Sequence, residues 1–217
     1  RNNRETDKAR VLLRQLRDKI CLEIPENMQF VMECEASLDW MEGMITKEEF
    51  AAKEEEALRY TLKADSFYDA EEVYLTETEM SCICKKMQLV DTIEKRESIA
   101  FLLHFFEKFE KENLLSEYIA MYEFVMANVT NELSSMGEYQ LAIALDKKVL
   151  GEVLRCRRLC IINEFLYDIL WSDMQQKLTA RQQVEKEKMT NDLRQCIIIS
   201  HFCKRTFYER FYQSKIY

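Results

Sequence analysis

The stretch Met136-Gly137-Glu138-Tyr139-Gln140-Leu141-Ala142-Ile143 decides the fold class. Apolar residues recur at helical spacing on both sides of it, so Gly137 breaks one amphipathic helix from the next. Ala142 follows the break by five residues, and a side chain that small lets the second helix approach the first closely. A hairpin of this kind buries its apolar faces only by stacking on further hairpins.

Working outward, apolar periodicity predicts about nine helices. The first, near 5–22, places Ala9, Leu12, Leu13, Leu16 and Ile20 on one stripe, and Pro25 ends it. A second, about 27–42, is capped near Glu26-Asn27 and stopped by Gly43. Thr46-Lys47-Glu48-Glu49 and Thr76-Glu77-Thr78-Glu79 are capping boxes that open the third and fourth, with residues 64–75 as the connector between them. The fifth, about 94–111, carries two apolar stripes, Ile99, Leu102, Leu103, Phe106 and Phe101, Phe105, Phe109, which predicts burial on two sides. The remaining helices are expected at about 113–136, 138–153, 157–176 and 192–212, with polar residues 177–188 before the last.

Composition agrees. Three glycines and one proline are too few turn formers for repeated β-hairpins. Net charge is −8, which disfavours a broad DNA-binding face. The charge is uneven: residues 1–22 hold seven basic and three acidic side chains, or +4, leaving −12 for the rest. That basic start is either a solvated helix face or a connector to a nucleic-acid-binding segment, and the chain begins at Arg1, as a piece of a longer protein would. All eight cysteines lie within apolar runs and are expected as small buried hydrophobes in a reduced, cytoplasmic compartment. No apolar run reaches the ~20 residues of a membrane span, so no membrane partner is expected.

Residues 126–150 resemble a tetratricopeptide repeat. Gly137-Glu138-Tyr139 and Ala142 match its turn and its second-helix small residue, and Val149 and Leu150 take its later positions. Met126, Val129, Thr130 and Leu133 stand where the repeat prefers Trp, Leu, Gly and Tyr, and match in pattern only. More widely, the Thr76-Glu77-Thr78-Glu79-Met80 opening, the Gly137 turn and Leu166-Tyr167-Asp168-Ile169-Leu170-Trp171 are similar to the C-terminal region of Gram-positive helix-turn-helix regulators of the Rgg, PlcR and PrgX type. The resemblance spans residues 25–217 and implies a right-handed α-solenoid of stacked, degenerate repeat hairpins, with residues 1–24 as a basic helix preceding it. It further implies a sensor that binds a short peptide or protein segment on a concave face and forms a homodimer. DNA would be touched only through a domain absent from this chain. The alternative is a constitutive protein–protein interaction scaffold without a regulatory ligand.

Side-chain amides both donate and accept, so they can clamp a peptide backbone without reading its side chains. Asn128 and Asn131 lie one turn apart on the first helix of the recognisable hairpin; Asn163 leads the next, with Tyr167 and Trp171 continuing its face. These five residues are the candidate ligand-binding set, and each amide has a second reading as a cap or a bond to a neighbouring helix. Arg155, Arg157 and Arg158 are read either as a carboxylate partner or as a solvated turn. The basic–aromatic run of Phe202, Lys204, Arg205, Phe207, Tyr208, Arg210, Phe211, Tyr212, Lys215 and Tyr217 is read as array closure or a dimer contact before base stacking. His104 sits among apolar residues as a packed side chain rather than a base. Cys82-x-Cys84 and Cys156/Cys160 lack the second pair that zinc needs, and no glycine-rich phosphate loop exists. No enzymatic activity, catalytic residue, metal or cofactor is expected.

Overall fold

A computed structural model describes residues 3–62, 74–158, 161–181, 184, 186–203 and 205–216. Ten α-helices and no strand occur among them: α1 Asn3–Arg17, α2 Pro25–Met41, α3 Lys47–Leu58, α4 Glu77–Leu89, α5 Thr92–Lys111, α6 Ile119–Ser135, α7 Tyr139–Arg155, α8 Ile162–Thr179, α9 Lys186–Phe202 and α10 Thr206–Gln213. The fold is all-α, and its helices pack in consecutive pairs, as the hairpin signature requires. The chain divides into two compact units, Arg1–Phe105 and Phe106–Tyr217, with the boundary inside α5.

In the first unit α1 packs on α2, α2 on α3 and α4, and α3 on α4. Both capping boxes form: the Thr46 hydroxyl accepts from Glu49 N at 3.2 Å and the Glu49 carboxylate from Thr46 N at 2.8 Å, with 3.2 and 2.7 Å at Thr76/Glu79. Met80, Ile83 and Met87 of α4 are buried as the spacing predicts, beside Phe50, Ala57 and Leu58 of α3. Two local expectations need correction. Pro25 opens α2 at its first position, where its missing N–H costs nothing, and Asn27 donates to the Cys21 carbonyl at 2.9 Å instead of capping. The stripe of α1 is only half covered, with Leu12 65 % exposed. Charge supplements that packing: Arg10 pairs with Asp39 of α2 and with Glu42, which caps that helix, and Arg17 pairs with Glu35. The basic segment thus lies on an acidic helix.

In the second unit α6 to α10 pack each on the next, and α6 also touches α8. Gly137 adopts φ +82° and closes α6 in a Schellman turn, Gly137 N donating to Ser134 O and Glu138 N to Leu133 O. Ala142 is fully buried on the face of α7 that meets α6. Both stripes of α5 carry buried residues, Ile99, Leu102 and Phe106 on one and Phe101, Phe105 and Phe109 on the other.

Three turns close on residues other than glycine. Asn113, Arg157 and Arg181 adopt φ +58°, +57° and +54°. Asn113 and Arg157 close α5 and α7 with the same paired bonds as Gly137. The sixth and eighth helices therefore start later than the apolar pattern suggests, at Ile119 and Ile162. The segment expected as one last helix is two, α9 and α10, with Arg205 N donating to Ser200 O across the break. The 64–75 connector lies outside the described residues except for its end at 74–75, as do Arg1, Cys160, Lys204 and Tyr217. Of the described cysteines, all free, Cys82, Cys84 and Cys196 are buried, but Cys21 is exposed in the turn after α1.

Candidate functional site: the face of α8 and its neighbours

Helix α8 carries three of the five candidate residues, and the structure gives them different jobs. Asn163 is fully buried. Its side-chain Nδ2 donates to the Tyr212 hydroxyl at 3.2 Å, and that hydroxyl donates to the Asn163 carbonyl at 3.1 Å. Of the two readings of this amide, the geometry is that of a bond to a neighbouring helix, α10. Tyr167, one turn on, packs its ring against Phe211 and Tyr212 at 5.3 and 5.0 Å between centroids. Trp171 is 42 % exposed. On α6, Asn128 donates to the Phe124 carbonyl of its own helix at 2.8 Å, and Asn131 is exposed.

The five residues do not share one wall. Tyr167 and Trp171 do come together, with Leu170 and Met174 of α8, Met189 and Leu193 of α9 and Lys215, around an apolar pocket of about 110 Å³. That volume suits one side chain rather than a whole small molecule. On the other flank of α8, a groove of about 340 Å³ runs between α7, α8 and α9. Its floor is Ile143, Leu166, Ile169 and Leu170, and its rim holds Lys147, Lys188, Asp173 and Asp192. Asp173 pairs with Lys177 at 2.7 Å; Lys147, Lys188 and Asp192 join no ion pair among the described residues. Leu170 lines both cavities, so one helix presents two adjoining concave surfaces.

A wider depression of about 760 Å³ lies beside α7, lined by Lys148, Arg155, Arg158, Glu110 and Glu152 among others. Its cations are already matched. Arg158 makes a two-pronged bond to Glu123 of α6 at 2.7 and 3.0 Å, Lys148 pairs with Glu110, and Arg155 with Glu152. Arg157 spends its backbone on the left-handed turn. An entering carboxylate would have to displace Glu123 at Arg158 and Glu152 at Arg155, and of the three arginines Arg158 is the one that braces neighbouring helices. Of the C-terminal basic–aromatic run, Tyr212 is buried, and Arg205 stacks on Tyr208 at 4.4 Å while pairing with Glu164 of α8.

Asp146 and Asp168 escaped the sequence reading although a signal existed. Asp146 interrupts the buried stripe Ala142, Val149, Val153 of α7 at a core position, and a carboxylate there is anomalous. It is fully buried, with both oxygens lacking a hydrogen bond. Burial pushes its carboxyl up to about 8, the Thr130 hydroxyl opposing and Asp168 adding to the rise. Burial, helped by Glu164, pushes Asp168 up to about 7. Among the described residues no group of three His, Cys, Asp or Glu side chains is placed to hold a metal ion, and no helix is long and apolar enough to cross a membrane.

Compared with known proteins, the chain matches no family model, no curated protein and no solved structure.

Proposed function

We propose that this chain is the ligand-sensing and dimerisation part of a bacterial transcriptional regulator, and that it takes a short peptide in the groove between α7, α8 and α9. The observation that carries the reading is the make-up of that groove: an apolar floor bounded by Lys147 and Lys188 on one side of the charge balance and Asp192 on the other. An extended peptide offers matching chemistry, an apolar side chain for the floor and charged ends for the rim. The adjoining pocket at Trp171 would take a second apolar side chain. This moves the binding surface off the amides of α6 and onto α8, keeping Tyr167 and Trp171 from the candidate set.

A cytoplasmic homodimer with right-handed stacking of its hairpins belongs to the same proposal, resting on the family resemblance. Ligand would act by binding two arrangements of the stacked helices unequally, since only a difference in affinity shifts an equilibrium. DNA contact is assigned to a domain outside this chain.

The test is a titration of unblocked hexapeptides with apolar centres, followed by Trp fluorescence and calorimetry, against wild type and a Lys147→Glu/Lys188→Glu variant. Both lysines are exposed, so reversal leaves the core intact. Saturable binding that drops at least about tenfold in the variant, roughly 1.4 kcal/mol, supports the groove. Binding of equal strength in both moves the site elsewhere. No binding to the wild type by any peptide leaves the constitutive scaffold as the reading.

A further inference from the structure

Four carboxylates enter the interior of the second unit from three successive helices. Two have guanidinium partners: Glu123 of α6 with Arg158, and Glu164 of α8 with Arg205. The other two, Asp168 one turn along α8 and Asp146 on α7, join no ion pair among the described residues. What faces Asp146 is the Thr130 hydroxyl from α6 and the Asp168 carboxyl from α8. Asp168 in turn has Glu164 on its own helix, and its charge is felt by Tyr167, by Cys196 of α9 and by Tyr208 and Tyr212 of α10. None of these groups is a cation. The lysine next to Asp146, Lys147, points away to the groove rim.

A bare charge at a fully buried position without a hydrogen bond is costly enough that the group takes up a proton instead. Asp168 is half-buried, and its charge acts on Asp146 with no cation between them, so the two resist ionising together and their protons leave in two steps that belong to the pair. The same two helices form the walls of the groove. Ile143 and Lys147 flank Asp146 in sequence, and Leu166 and Ile169 flank Asp168.

We propose that Asp146 and Asp168 form a proton-operated latch, which when protonated lets α7 and α8 close on α6 and when ionised drives those two helices apart and opens the groove between them. That the groove then binds peptide with a pH-dependent affinity rests on the function proposed above; the latch itself does not. The direction follows from linkage. The native state holds these protons over the range in which the unfolded chain, with aspartates near ~4, has lost them. Stability of the second unit therefore falls as pH rises through that range and levels off above the native values. Opening belongs to mildly alkaline conditions.

The experiment uses the full chain labelled with carbon-13 at aspartate carboxyls, titrated by NMR from pH 5 to 9.5, with amide hydrogen exchange corrected for its intrinsic rate. Wild type is compared with Asp146→Asn and Asp168→Asn. Expected are two carboxyl resonances moving in coupled steps near neutral to mildly alkaline pH, one lost in each variant. Protection of α7 and α8 amides should fall about tenfold across those steps in wild type and stay flat in Asp146→Asn. Wild-type titration of both carboxyls below pH 5 overturns the latch, and so does an equal loss of protection in Asp146→Asn. If that variant fails to fold, the wild-type titration alone decides. No peptide enters the measurement, so a peptide library that binds nothing leaves this result standing, and the converse holds.

Discussion

Tyr212→Phe isolates the clasp between α8 and α10. The substitution keeps the ring, which packs on Tyr167 and Phe211 at 5.0 and 5.5 Å between centroids, so it opens no cavity. It removes one oxygen that makes two bonds, accepting from Asn163 Nδ2 at 3.2 Å and donating to the Asn163 carbonyl at 3.1 Å. Burial raises the Tyr212 phenol well above its ordinary value, so the donor is present at any working pH. With the oxygen gone, the Asn163 amide is buried beside its own Oδ1, which already lacks a partner. Leaving a buried donor unmatched costs about 1–3 kcal/mol, and losing one of the two bonds at a helical carbonyl about 0.5–1 kcal/mol more. The expected loss is about 1.5–4 kcal/mol, and a urea slope of roughly 2 kcal/mol per molar turns it into a midpoint shift of about 1–2 M. The assay is urea unfolding by far- and near-UV circular dichroism, with Asn163→Ala and the double variant completing a cycle. Coupling below about 0.5 kcal/mol between the two sites would refute the clasp and return Asn163 to the candidate surface.

Two further outcomes test the backbone of the second unit and a buried carboxyl of the first. Arg157 closes α7 in the left-handed region at φ +57°, where glycine is unstrained, so Arg157→Gly is expected to raise stability by about 0.5–1 kcal/mol in thermal unfolding. Burial pushes the fully buried Glu54 carboxyl up to about 7, and its oxygens have no hydrogen bond. The native state therefore holds a proton that the unfolded chain releases near ~4.3. Stability should drop as pH rises from there to about 7, by up to ~1.4 kcal/mol per pH unit, and then flatten. Glu54→Gln lowers the slope of urea stability between pH 4.5 and 8, leaving the part that Asp146 and Asp168 contribute; an unchanged slope would show that Glu54 stays ionised.

What could be read from the amino acids alone depended on whether a local rule had only one residue type to satisfy it. The two capping boxes and the turns at Gly43 and Gly137 were legible because threonine, glutamate and glycine do those jobs by geometry of their own. The turns at Arg157 and Arg181 were not, since arginine in the left-handed region is chosen by the packing around it and carries no local signature. The face of α1 illustrates the same limit. Its apolar stripe exists, but how much is covered depends on α2, which meets it through Asp39, Glu42 and Glu35 as well as through apolar contact. In the site, Tyr167 and Trp171 were found because large aromatics at helical spacing are conspicuous, whereas the rim residues Lys147, Lys188 and Asp192 look like any solvated charges.

Polar residues on buried stripes obey a different logic, and they unify what is unusual in this chain. Gln29, Glu54, Thr130, Asp146 and Asn163 all occupy positions where periodicity asks for an apolar side chain, and all are at most 1 % exposed. A helical hairpin stack needs none of them for stability, because an apolar residue of similar volume would satisfy the same packing without a desolvation penalty. Some find internal partners: Gln29 donates to Thr61 at 2.8 Å, and Asn163 clasps Tyr212. These fix which helix lies beside which, since a slipped pairing would strand a polar group in the core. As hydrogen-bond partners Asp146 and Glu54 face only the Thr130 hydroxyl and the Cys82 thiol, and no oxygen of either is at hydrogen-bonding geometry, so they fix register less firmly than Gln29 or Asn163. A group that is neutral only while it holds a proton adds a state variable to the packing instead. Of the two, Asp146 alone sits on a helix that also walls a charged groove. On the function proposed above, packing and ligand binding would be joined there, which is why the latch is placed at α7 and not at α3.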